Sequence, residues 1–99
     1  MILHIVSQSP FSHDALQRCL AALAPGDAIL LTEDGVLAHT APDRFLAPAL
    51  SRQVTVFTLN PDAQARGIAA AHNHVDCVGV DYAGFVDLVA TADKSVSWF

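Results

Sequence analysis

A chain of 99 residues with 53% apolar and only 15% charged side chains has room for one core and little charge to cover its exterior. Ordinary soluble domains carry roughly 25% charged residues, so part of the apolar surplus is expected at a subunit interface, with Ala-rich helices accounting for some of it. The net charge of −5, with its basic residues dispersed as Arg18, Arg44, Arg52, Arg66 and Lys94, excludes a nucleic-acid footprint and disfavours an anionic membrane surface.

Met1–Val6 (MILHIV) reads as a short strand of the buried type. It contains His4 and runs into Ser7-Gln8-Ser9-Pro10, lacking both the basic region and the longer apolar run of a signal peptide. A reduced cytoplasmic setting is therefore expected, and Cys19 and Cys77 do not form a disulfide framework. Ser12 is a candidate N-cap, with Phe11 placed to staple onto Leu16. Leu16, Cys19, Leu20 and Leu23 then mark one face of a helix that Pro25-Gly26 should end.

Asp27–Thr32 predicts a second strand, closed by Glu33-Asp34-Gly35 with Gly35 at positive φ, and Val36–His39 a brief extended piece. Pro42–Leu50 is a short helical stretch interrupted by Pro48. Gln53–Leu59 is the third strand. Asn60-Pro61-Asp62 reads as cap, first-turn proline and acidic first turn of a helix that ends or kinks at Arg66-Gly67. Val75–Val80 is the fourth strand, and Asp81 can cap a last helix burying Phe85, Leu88 and Val89. Ser95–Phe99 is a terminal strand or tail. The alternation predicts a single α/β domain over residues 1–99, with a mostly parallel sheet of about five strands and helices on both faces. Nothing in the pattern orders the strands.

Cys19 is the first chemical candidate, because a thiolate can accept or attack a sulfane sulfur. It lies on the apolar stripe of its helix, far from the positive N-terminal end, so packing as a small buried side chain is the competing reading. Cys77 falls within a strand, where core packing is expected. His72-Asn73-His74 could converge on a metal from an extended segment, but no further ligands follow at a recognisable spacing. His4 is expected to be a satisfied core or strand-end histidine. Glu33, Asp34 and Asp43 are acidic loop residues near the expected carboxyl ends of strands, where α/β sites tend to lie. No Gly-rich dinucleotide or phosphate loop occurs, so no cofactor is expected. Trp98 and Phe99 either cap the sheet or anchor an interface.

The opening ILHIVSQSPF, the helix with Leu16-Gln17-Arg18-Cys19-Leu20, and the run Pro25 to Leu31 followed by Glu33-Asp34-Gly35-Val36 resemble the TusB/DsrH family. So do Asp62-x-x-Ala65-Arg66-Gly67, Val80-Asp81-Tyr82-x-x-Phe85-Val86-x-Leu88 and the closing Ser97-Trp98, in the right order along nearly the whole chain. The resemblance implies a five-stranded α/β subunit that assembles with TusC/DsrF-like and TusD/DsrE-like subunits in a heterohexamer. It implies a role in passing persulfide sulfur toward a TusE/DsrC-like acceptor, serving 2-thiouridine in tRNA or sulfur oxidation. The principal relay cysteine of such complexes is on the TusD/DsrE-like subunit. Cys19 stands where DsrH-like members carry a cysteine, whereas TusB-side members lack it and still assemble. The expected role is an accessory subunit, with Cys19 as its candidate sulfur-handling residue. A self-associating α/β binding or regulatory domain without sulfur chemistry is the alternative.

Overall fold

Short apolar runs bounded by turn residues become strands wherever both of their faces can be covered, and that is their fate here. The computed structural model describes residues 1–68 and 76–99. Its strands are β1 (Ile2–Val6), β2 (Ala28–Leu31), β3 (Thr55–Leu59), β4 (Cys77–Val80) and β5 (Lys94–Trp98). The helices are α1 (Ala15–Ala22), a 3₁₀ helix (Glu33–Thr40), α2 (Pro42–Phe45), α3 (Ala47–Leu50), α4 (Asn60–Ala65) and α5 (Tyr82–Thr91).

The five strands lie in the order β4-β3-β2-β1-β5, and every pair is parallel. Three successive crossovers therefore step one way from β1 to β4, and the fourth reverses to set β5 beside β1. Right-handed connections place the first three on one face and the reversing one on the other. Burial follows that rule. Val6, Ile29, Leu31 and Val56 pack with Leu16 and Cys19 of α1, Val36 and Ala38 of the 3₁₀ helix, Phe45, Ala49 and Ala63. On the opposite face Leu3, Ala28 and Leu30 meet the inward side of α5 through Phe85, Leu88 and Ala92. The central strand β2 is buried along its whole length, and each of its large side chains contributes roughly 1.5–3 kcal/mol.

Several local expectations change. α1 begins at Ala15, not after Ser12, and Phe11 sits edge-to-face on Phe45 with ring centres 5.0 Å apart instead of stapling onto Leu16. Asp14 occupies the cap position, but its carboxylate accepts from Arg18 Nε at 3.1 Å and caps nothing. Residues 36–39 are helical, not extended. Positive φ falls on Glu33 (47°), while Gly35 is required for another reason: a Cβ there would lie 2.2 Å from the carbonyl oxygen of Val6. Leu46 separates α2 from α3. Asn60 lies within α4 and makes no capping bond; its amide packs against the backbone of Gly79.

Other expectations hold. Gly67 takes φ of 72° where the sequence ends α4, while Gly26, at 87°, turns the chain after α1, which itself stops earlier, at Ala22. Asp81 caps α5, its Oδ1 accepting from the Gly84 N–H at 2.8 Å. Val75, placed in the fourth strand by its sequence, lies outside the described residues.

Candidate functional site

The face of α1 that the 3.6-residue period turns inward carries Ala15, Leu16 and Cys19 into the main core. Cys19 is 0% exposed there. Burial, with a smaller push from the charge of Asp27, raises its thiol to about 12. As a free thiol in this closed form Cys19 is protonated and shielded, which is the packing role its place on the apolar stripe allowed. Arg18 points elsewhere, pairing with Asp14 and lying 6.0 Å from the ring centre of Trp98. Cys77 opens the edge strand β4, where it is half-buried, and burial together with the charge of Asp76 raises its thiol as well. The pair His72 and His74 lies outside the described residues. Among the described residues no group of three metal-ligating side chains is assembled.

A buried polar chain crosses the sheet near Cys19. The Asp27 carboxylate accepts the N–H of Ile2 at 3.1 Å, the N–H of Ala24 at 3.1 Å and Nε2 of His4 at 3.0 Å. Burial alone would push the Asp27 carboxyl up, but these bonds and the nearby imidazole outweigh it and hold the group below its ordinary value. On the other side of the ring, Trp98 Nε1 donates to His4 Nδ1 at 3.1 Å. His4 is therefore the satisfied core histidine its sequence context suggested. The signal for its partners is indirect: a polar ring inside an apolar strand demands hydrogen bonds. Neither Asp27 nor Trp98 advertises itself as the answer.

At the carboxyl ends of the strands lies a cleft of about 370 Å³, bordered by Thr32, Glu33, Asp62, Tyr82 and Phe85. Glu33 is fixed by donation of its N–H to Asp62 Oδ2 at 2.6 Å, and Asp34 pairs with Arg66 at 2.9 Å. Asp43 belongs to α2 on the same face of the sheet but does not border the cleft, so the acidic residues do not form one constellation. The cleft runs onto α5, which has two apolar stripes. Phe85, Leu88 and Ala92 face the sheet, while Tyr82 and Val86 are 62% and 63% exposed and Val89 is 41% exposed, one helical turn apart along the outside. Val89 was expected inside.

These features define a small all-parallel α/β protein with one sheet face fully packed and the other roofed by a single helix that is apolar on both sides. A family model described as DsrH like protein matches residues 8–95. Protein TusB of Escherichia coli O81 is 32% identical over 97 residues, spanning 98% of this chain and 100% of that protein. Protein TusB of Pectobacterium parmentieri shows the same identity and coverage. The chain belongs to the TusB/DsrH family, and that membership implies a sulfur-relay role. Among solved structures, the ychN protein of E. coli superposes with a TM-score of 0.76 at 16% identity, covering 97% of each chain. Protein Tm0979 of Thermotoga maritima gives 0.63 at 18% identity, covering 95% of this chain and 97% of that one. Both share the fold.

Proposed function

We propose that this protein is an accessory subunit of a sulfur-relay complex, assembled with TusC/DsrF-like and TusD/DsrE-like subunits in the cytoplasm. The complex would pass persulfide sulfur to a TusE/DsrC-like acceptor, serving the thiolation of tRNA or sulfur oxidation. Family membership supports the sulfur role. The observation that carries the subunit reading is the outer stripe of α5: Tyr82, Val86 and Val89 give a helix that is apolar on its solvent side as well as its sheet side. The outside of α5 also carries Asp87 and Thr91, but an exposed apolar row of this kind is what burial between subunits would cover. No helix among the described residues is long and apolar enough to cross a membrane.

Cys19 is the residue proposed for sulfur handling, in an opened form of α1. Its thiolate would attack the outer sulfur of a donor persulfide, forming a persulfide on Cys19 and releasing the donor's thiolate. With the thiol at about 12 in the closed form, that step needs α1 to lift or a partner to change its surroundings. Tagged protein recovered from its host and weighed by native mass spectrometry tests the assembly. Recovery with two similarly small α/β proteins, one bearing a reactive cysteine, is expected. Recovery alone, or only with itself, would overturn the relay reading in favour of a self-associating domain. Persulfide-specific labelling of the recovered complex then separates Cys19 as a carrier from Cys19 as packing.

A further inference from the structure

The geometry points to a proton-operated latch: His4, linked to both Asp27 and Trp98, fastens the carboxyl end of the edge strand β5 and frees the Trp98 side chain on taking up a proton. The argument is one of hydrogen-bond valence. An indole N–H can only donate, so His4 Nδ1 must accept at 3.1 Å. The Asp27 carboxylate, already accepting from two backbone N–H groups, can only accept, so His4 Nε2 must donate at 3.0 Å. The ring is thereby confined to one neutral tautomer, protonated at Nε2 alone. Both contacts are compatible only with that form.

A proton from solvent has one place to go, His4 Nδ1. Once there it faces the Trp98 N–H, two donors confront each other, and the indole must turn away. The imidazolium meanwhile keeps its bond to Asp27. Among the described residues, the charged and titratable groups around the site are few. Asp27 precedes β2, α1 contributes Cys19 toward the core and Arg18 over the indole, and β5 contributes Lys94 beside Ile2. The amino terminus lies at the same end of the sheet, bonded to Asp93. Of these, Asp27 alone bonds the imidazole, and Arg18 contacts the indole and not the imidazole.

Trp98 lies level with Val6 in the register of β5 against β1, at the carboxyl end of the edge strand. Loss of its bond therefore loosens the last residues of β5 and leaves the remainder of the sheet in place. The device concerns the fold of this chain and holds whether or not the relay reading does.

The sequence contains one tryptophan, so ¹⁵N-labelled protein of this sequence gives a single indole N–H resonance for the folded state. Between about pH 8 and pH 5, the range in which histidine changes charge, that resonance is expected to move in one step toward the position of a solvent-exposed indole. Far-UV circular dichroism should stay constant. In His4→Gln the step disappears, although the other four histidines remain. In Asp27→Asn the protonated ring loses its carboxylate and the midpoint moves to lower pH. A flat profile in the folded wild-type protein, a step that survives in His4→Gln, or an unmoved midpoint in Asp27→Asn would each overturn the latch. Should His4→Gln fail to fold, the wild-type profile and the Asp27→Asn midpoint still decide.

Discussion

Replacing Asp27 with alanine would leave the N–H groups of Ile2 and Ala24 and the imidazole of His4 without an acceptor in the interior. Orphaned buried donors cost roughly 1–3 kcal/mol each, so Asp27→Ala should lose about 3 kcal/mol or more in urea unfolding at pH 7. The same carboxyl gives stability a pH dependence with a definite sign. Its folded pKa is depressed, so its contribution is complete above the ordinary aspartate value of about 3.9 and is lost as pH falls through the folded value. Unfolding free energies of wild type and Asp27→Asn, measured from pH 6 to pH 3, should converge at the acid end. For Cys19, a thiol at about 12 leaves only on the order of one molecule in 10⁵ as thiolate at neutral pH. Iodoacetamide is expected to label Cys77 well before Cys19 in the native protein, and both at comparable rates in denaturant, as read by peptide mass spectrometry. Faster native labelling of Cys19 would indicate that α1 opens readily.

Among the elements, the 3₁₀ helix after β2 depends on one close approach. Gly35→Ala would drive a methyl group to 2.2 Å from the backbone oxygen of Val6, and since that oxygen belongs to a central strand, the helix must move. A loss of about 3 kcal/mol is expected in thermal or urea unfolding. Val86→Asp tests α5 differently. Val86 is already 63% exposed, so the isolated subunit should lose under about 0.5 kcal/mol, while recovery of partner subunits on the tagged protein should fall sharply. How much of each element the sequence discloses depends on how local its cause is. The strands are readable because a buried parallel strand needs only its own apolar run, and the Asp81 cap because donor and acceptor are three residues apart. Gly35 was legible as necessary but for the wrong reason, since its neighbour is Val6, nearly thirty residues earlier in the chain. The Phe11 ring likewise preferred Phe45 to the nearby Leu16. Of the candidate site, Cys19 could be placed on its stripe, yet whether that stripe faced core or partner depended on its long-range packing against Val6, Ile29, Leu31 and Val56 of the sheet.

At the scale of the molecule, the uneven covering of the two sheet faces follows from strand order alone, because three crossovers share one side and one has the other. The family resemblance carried the functional reading further than any single residue, and the composition pointed the same way through its shortage of charge. That same strand order has a temporal consequence. β1 occupies an interior position only because β5 flanks it, and the pairing joins Ile2 to Lys94. During synthesis β1, β2 and β3 can associate as they emerge, but one hydrogen-bonding edge of β1 stays bare until β5 has been made. Distant pairings of this kind slow folding and leave an adhesive strand edge open in the interval. The nascent chain is thus most vulnerable to mispairing before β5 arrives, and Trp98, by closing onto His4, marks the moment at which that vulnerability ends.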